Sequence, residues 1–129
     1  MVTLHNPDTV VAPASFYSQA AEVGPGKRWL HISGQVGAAP DGSLADGFEA
    51  QSDQVWRNIG ALLAAADMTM ENLVIVRALL VDRAHLGAYR EIRDRHLAGH
   101  QAASTLLIVA GLADERWLIE IEALAAAET

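Results

Sequence analysis

The alternation of apolar and polar side chains predicts five short strands. Residues 28–34 alternate between two faces, which is the repeat of a half-buried strand. Residues 72–81 form an apolar run rich in Val and Ile, and such branched side chains favour a central strand over a helix. Two further strands are predicted at 104–110 and 116–126. A Gly-Pro-Gly turn before the strand at 28–34 predicts a hairpin with residues 18–23.

Two stretches carry the apolar repeat of a helix, with apolar side chains every three to four residues. The first spans 48–66, and the second spans 83–97, where Asp82 can cap the start and Gly99 stops the helix. The apolar stripe of the first helix consists of Val55, Ile59, Leu62, Leu63 and Ala66. The apolar side of the second helix consists of Leu86, Tyr89 and Ile92.

This order of elements predicts an α+β fold. One mixed sheet would have both helices on the same face, and the length indicates a single domain over residues 1–129. The uncovered face of the sheet would carry Leu107 and Val109. These side chains are too apolar to face water over a whole surface, so the pattern predicts that this face is covered by oligomerisation.

The composition excludes several classes of function. The chain of 129 residues has no cysteine, which rules out disulfides and thiolate chemistry. Its start lacks the features of a signal peptide, and no apolar stretch approaches the ~20 residues that span a bilayer. We therefore expect a cytoplasmic protein without a membrane segment. A net charge of -7 repels phosphate backbones, and this argues against nucleic-acid binding.

Five of the nine basic residues are arginines between positions 77 and 95. One interpretation is a local basic patch on an otherwise acidic protein. The interpretation that we prefer is a solvated helix face with internal ion pairs. Glu91 with Arg95, and Arg90 with Asp94, have the four-residue spacing that such pairs require.

The last predicted strand places two carboxylates among apolar residues. Glu120 and Glu122 share one face of this strand with Leu118 and Leu124, while the opposite face is apolar. A carboxylate is costly to bury unless it is paired or protonated, and a positioned carboxyl group can transfer protons. The alternative is an edge strand whose glutamates face water.

Four short segments together resemble the Rid family of YjgF-like reactive-intermediate deaminases. They are Tyr17-Ser18-Gln19-Ala20, Ser33-Gly34-Gln35, Ala102-Ala103-Ser104-Thr105 and Leu118 to Ala123. The resemblance spans nearly the whole chain and implies a chorismate-mutase-like fold, assembled as homotrimers with clefts between subunits. It also implies hydrolysis of a small enamine or imine to a carbonyl compound and ammonia. The ligand would be a small molecule in the intersubunit cleft, and no cofactor would be required.

The resemblance also implies roles for particular residues. Glu120 matches the glutamate that positions or activates the attacking water, and Glu122 matches a more structural glutamate. Backbone groups near Ser33-Gly34 and Leu106 would orient the ligand or stabilise developing charge. The residues implied to bind substrate are Tyr17, Ser33, Gly34, Arg90, Ser104, Thr105 and Leu106.

Ser104 marks a departure from the family pattern, because deaminases of the family carry a substrate-binding arginine there. A guanidinium holds a carboxylate with two parallel charged hydrogen bonds, whereas a serine hydroxyl offers one uncharged donor. We therefore expect weak or no activity on ordinary 2-iminopropanoate-type substrates. Three explanations stay open: another arginine replaces the missing one, the ligand is not a carboxylate, or deaminase activity is lost. The candidate arginines are Arg90, Arg93 and Arg28.

The five histidines show no compact metal-binding spacing, so we expect no metal site. Ser104, His100 and Glu120 could form a Ser-His-acid triad on paper, although no nucleophile-elbow pattern accompanies them. Two other functions compete with hydrolysis. One is a non-catalytic trimer that binds a small metabolite and regulates a partner enzyme. The other is a ribonuclease or translation inhibitor, which the acidic charge disfavours.

Overall fold

The computed structural model describes residues 2–129. The regular elements are β1 (Val2–His5), β2 (Ala20–Val23), β3 (Lys27–Gln35), α1 (Phe48–Ala65), β4 (Leu73–Leu80), α2 (Leu86–Leu97), β5 (Ala103–Ile108) and β6 (Ile119–Glu128). Short 3₁₀ turns lie directly before β4 (Met70–Asn72) and directly before α2 (Arg83–His85). They confirm the predicted α+β class, with two helices and a mixed sheet.

The main sheet has the strand order β3-β6-β4-β5. β6 runs antiparallel to both of its neighbours, whereas β4 and β5 are parallel and are connected through α2. β6 is therefore an interior strand, and the edge-strand alternative for its glutamates is wrong. β5 and β6 follow each other in the chain but are not neighbours, because β4 lies between them.

The predicted hairpin between residues 18–23 and the strand at 28–34 is wrong. β2 pairs instead with β1, which the pattern did not predict because four residues are too few to show a clear alternation. β3 pairs along its length with the ten-residue β6. This longer partner offers more ladder hydrogen bonds and more apolar cross-strand contacts than the four residues of β2.

Both helices cover the same face of the main sheet. Alternate residues of β6, from Ile119 to Ala125, are buried against this helical layer. The buried residues of α1 are Phe48, Gln51, Ser52, Val55, Trp56, Ile59 and Leu63. The predicted stripe was wrong at Leu62, which is 39% exposed. Trp56, Ile59 and Leu63 recur at three- and four-residue spacing and are fully buried, so the buried side of α1 passes beside Leu62.

The predicted cap at Asp82 lies one element earlier than expected, because it caps the 3₁₀ turn Arg83–His85, whereas α2 itself begins at Leu86 after His85 and has no side-chain cap. Asp82 accepts a hydrogen bond from the Ala84 backbone N–H at 2.9 Å. After Leu97, Ala98 and Gly99 both adopt positive φ values (48° and 97°), which ends the helix.

The predicted ion pairs within α2 do not form among residues 2–129. Arg95 contacts Asp53 of α1, and Asp94 contacts Arg93 rather than Arg90.

No element in residues 2–129 covers the opposite face of the main sheet. Its side chains form rows that run across the strands, as in the row Glu120, Leu79 and Leu107. Leu107 is 52% exposed, and Trp29 at the other edge is 48% exposed. The expectation of an apolar uncovered face is therefore confirmed at Leu107, whereas Val109 lies just beyond the end of β5. None of the helices in residues 2–129 is long and apolar enough to cross a membrane.

Candidate functional site

A β-bulge in β3 organises the first group of predicted site residues. Ile32 pairs with Ala123 and Gln35 pairs with Ile121, so Ser33 and Gly34 together face a single residue of β6. Such two-against-one irregularities redirect the backbone, and they are common beside active sites. Here the bulge brings the backbone of Gly34 against the side chain of Glu120.

The contact between Gly34 and Glu120 leaves no room for a side chain. A Cβ added to Gly34 would lie 2.8 Å from the carboxyl carbon of Glu120, and it would be closer still to one of the carboxylate oxygens. The φ angle of Gly34 is not positive, so glycine is needed here for space and not for backbone conformation. We call Ser33, Gly34 and Glu120 the carboxylate cluster.

The two glutamates of β6 have different surroundings. Glu122 lies 3.5 Å from Arg77 Nη1, across the pairing of β6 with β4. Thr105 continues the same row on β5. Glu120 is half-buried, and no hydrogen-bond or ion-pair partner for its side chain occurs in the chain from residue 2 onward. Its carboxylate is therefore free to hold a water or a ligand.

A second group of predicted residues lines a cavity of about 250 Å³ beside the edge strand β5. We call this cavity the arginine pocket. It is lined by Ala14, Ser15, Tyr17, Leu86, Arg90, Arg93, Ser104 and Leu106. Four predicted substrate-binding residues, Tyr17, Arg90, Ser104 and Leu106, thus meet in one place.

The helix α2 places two arginines in this pocket. Leu86, Arg90 and Arg93 recur at four- and three-residue spacing, so they lie on one side of the helix. Arg93 is only 3% exposed. Its Nε donates to Asp94 Oδ1 at 2.8 Å, and its Nη2 donates to Ser15 Oγ at 3.4 Å. Arg93 was predicted only as a possible substitute for the missing arginine, although its seven-residue spacing from Leu86 places both on one side of α2.

The guanidinium of Arg93 packs over the ring of Tyr89. The guanidinium carbon lies 5.6 Å from the centre of the Tyr89 ring, within the range of a cation–π contact. Burial raises the pKa of Tyr89 to about 12, so its hydroxyl is neutral at physiological pH. Tyr89 therefore adds no negative charge beside Arg93, and the charge of Arg93 is partly balanced by the carboxylate of Asp94.

The carboxylate cluster and the arginine pocket lie on opposite sides of the main sheet. Ser104 pairs in register with Val76, and both point toward the helical layer. Glu120 and Thr105 instead point to the uncovered face. One chain therefore does not bring Glu120 together with Tyr17, Arg90 or Ser104.

Two sequence-based alternatives do not fit this geometry. His100 Nε2 bonds to the Leu73 carbonyl at 2.7 Å, and Glu120 lies on the other face, so no Ser104-His100-Glu120 triad assembles. Arg28 donates to the Ala66 carbonyl at 2.6 Å, at the end of α1, and therefore does not replace the missing arginine. Within residues 2–129, no three acidic or histidine side chains gather into a metal-binding set.

Comparison with known proteins defines the class of protein. The family model described as Endoribonuclease L-PSP matches residues 8–127. The 2-iminobutanoate/2-iminopropanoate deaminase of Mus musculus is 35% identical over 121 residues, covering 91% of this chain and 87% of that protein. A RutC family protein of Aquifex aeolicus is 41% identical over 71 residues, or 54% of each chain.

Solved structures agree with the sequence matches. The conserved Rid family protein YyfB of Yersinia pestis, described as of unknown function, superimposes with a TM-score of 0.88 at 33% identity, covering 98% of both chains. RidA from the Antarctic bacterium Psychrobacter gives a TM-score of 0.74 at 31% identity, covering 95% of this chain and 97% of that one. The chain belongs to the Rid (YjgF, endoribonuclease L-PSP) family.

Proposed function

We propose that the protein hydrolyses a small imine or enamine to a carbonyl compound and ammonia, with Glu120 as the residue that positions water. The observation that carries this proposal is the unpaired Glu120 carboxylate held against the backbone of Gly34. Relatives that match most of this chain are named as 2-iminobutanoate/2-iminopropanoate deaminases, which supports the same reaction class.

The proposed reaction needs only water and proton transfers. Glu120 accepts a proton as the water oxygen bonds to the imine carbon and the C=N bond becomes a single bond. The nitrogen then receives protons, the C–N bond breaks, and the remaining hydroxyl loses its proton to give the carbonyl product and ammonia. An enamine enters the same path after a proton is added to its carbon. Ser33 and the nearby backbone groups would orient the substrate.

We further propose that a second copy of the chain completes the site. The carboxylate cluster of one subunit and the arginine pocket of the next would together enclose the ligand. Homotrimers with intersubunit clefts, as the family resemblance implies, would allow this arrangement. The exposed apolar side chains of Trp29 and Leu107 support burial of the uncovered face.

The direct test is ammonia release from freshly generated imines with and without a carboxylate. We expect turnover by the wild type and a loss of about 10²-fold or more in Glu120→Gln, which keeps the size of the side chain but removes its basicity. Glu71→Gln, at an exposed position, is the control for the change in charge.

A chain that binds these compounds or their products but releases no ammonia would contradict hydrolysis. It would instead favour the non-catalytic, metabolite-binding alternative. Equal turnover by wild type and Glu120→Gln would remove Glu120 from the mechanism. Sedimentation of each variant shows whether the assembly is unchanged, so that a loss of activity is not mistaken for a loss of the oligomer.

A further inference from the structure

An exposed apolar loop lies at one edge of the molecule, beside the arginine pocket. We call residues 10–16 the apolar loop. Val11 is 82% exposed, the largest fraction among the large apolar side chains of residues 2–129, and Val10 and Phe16 are also exposed. The loop contains Ser15 and leads directly into Tyr17, and both of these residues line the arginine pocket. Apolar side chains that are grouped on a surface in this way indicate a contact with another molecule.

Hydrogen bonds fix the shape of the apolar loop. The side-chain amide of Gln19 donates to the Val11 carbonyl at 2.8 Å, and the Gln19 backbone N–H donates to Asn6 Oδ1 at 2.8 Å. The Val10 N–H donates to the Pro7 carbonyl at 3.2 Å. A loop that is already held in one conformation loses little conformational freedom when it binds, so its apolar side chains are preorganised for a contact.

A groove of about 340 Å³ follows the opposite edge of the main sheet, between β3 and α1. We call it the edge groove. It is lined by Leu30, His31, Ile32, Ser33, Gln35, Leu62, Ala65 and Ala66, and no acidic residue, lysine or arginine is among them. β3 is an edge strand, so the backbone groups on its outer side have no strand partner in residues 2–129. The edge groove therefore offers both apolar contacts and unpaired backbone groups to an incoming segment.

The apolar loop lies far from the edge groove of its own chain. Ser18, two residues after the loop, forms a bridge with Ala103 of β5, whereas the groove follows β3. β6 and β4 separate these two edges. A contact between loop and groove must therefore join two copies head to tail, and contacts of this heterologous kind close into rings when the rotation between copies allows it.

We propose that the apolar loop of one subunit occupies the edge groove of the next, with Val10 and Val11 packed against Leu62 and Ala65. Ser33 belongs both to the edge groove and to the carboxylate cluster. The docked loop therefore brings the arginine pocket of one subunit beside the carboxylate cluster of the next. The use of this junction in catalysis rests on the proposed function, whereas the docking itself does not.

Cysteine cross-linking tests the contact without background, because the chain has no cysteine. Val11→Cys is combined in one chain with Leu62→Cys or with Ala65→Cys, and the assembled protein is treated with a short bismaleimide. We expect covalent dimers and larger species on a denaturing gel for these double variants, and only single chains for each single variant. Val11→Cys with Ala64→Cys is the matched control, because Ala64 is exposed on α1 but lies outside the groove.

Sedimentation equilibrium measures how much the contact contributes to assembly. Val11→Asp and Leu62→Asp each place a charge in the apolar contact, and we expect each to weaken association by about 10-fold or more. Both positions are exposed in the single chain, so the fold should tolerate these changes. Ala64→Asp adds the same charge outside the groove and should assemble like the wild type.

The two measurements separate the docking from the proposed reaction. Cross-linking through Ala65→Cys but not through Ala64→Cys, without any ammonia release, would keep the docking and overturn the hydrolase. Equal cross-linking through the two positions would overturn the docking, whatever the activity. Unchanged association of Val11→Asp would overturn it as well, and so would a wild type that stays monomeric.

Discussion

Replacing Gly34 with alanine should separate catalysis from folding. The added Cβ would lie 2.8 Å from the Glu120 carboxyl carbon, and an ordinary carbon–carbon contact is about 3.5 Å. The carboxyl group must therefore retreat by roughly 0.7 Å, and more at the nearer oxygen. Because a misplacement near 1 Å can cost about 10²-fold in rate, we expect kcat/KM for imine hydrolysis to fall by about that factor.

The fold should tolerate the same substitution. The collision involves the end of a flexible side chain, and the backbone of Gly34 is in a region that alanine adopts readily. Alanine also lowers the entropy of the unfolded chain, which stabilises the folded state by about 0.4–1 kcal/mol. We therefore expect the urea midpoint of Gly34→Ala to stay close to that of the wild type.

Two other glycines provide matched controls. At Gly24 an added Cβ meets nothing within 4 Å, so Gly24→Ala should leave activity unchanged and carry the same small stabilisation through the unfolded chain. At Gly37 it would lie 2.6 Å from the backbone Cα of Gln51, which cannot move alone, so Gly37→Ala should destabilise the fold. Activity of Gly34→Ala equal to that of Gly24→Ala would refute the catalytic importance of the Glu120 position. A large fall in its urea midpoint would refute the separation from folding.

Two further predictions concern the charged groups. Ser104→Arg would place a third guanidinium in the arginine pocket beside Arg90 and Arg93, so we expect repulsion among the three cations to lower the urea midpoint. A urea midpoint equal to that of the wild type would contradict this account of the charge in the pocket. A hydrogen bond from His96 holds the pKa of Asp53 below its ordinary 3.8, so the stability that this carboxylate contributes is present above about pH 4 and lost as the pH falls through the lowered value. Urea unfolding of wild type and Asp53→Asn should give a difference in unfolding free energy that shrinks below pH 4, and a constant difference would contradict this assignment.

The predictions that succeeded rest on long local patterns. The alternation in β6 assigned Glu120 and Ile121 to opposite faces, and the branched run of β4 identified a central strand. Both segments are longer than seven residues, so their repeat is clear from the sequence. The pairing of β1 with β2 was missed because each strand has only four residues and their partner choice depends on contacts distant in the chain.

The features that define the site depend on tertiary structure. The bulge at Ser33 and Gly34 exists because β3 and β6 differ by one residue in register, which no pattern within either strand reveals. The burial of Arg93 is hidden for a different reason, because an arginine on a helix normally faces water. In the folded chain, Arg93 contacts Ser15, which is distant in sequence, and the ring of Tyr89.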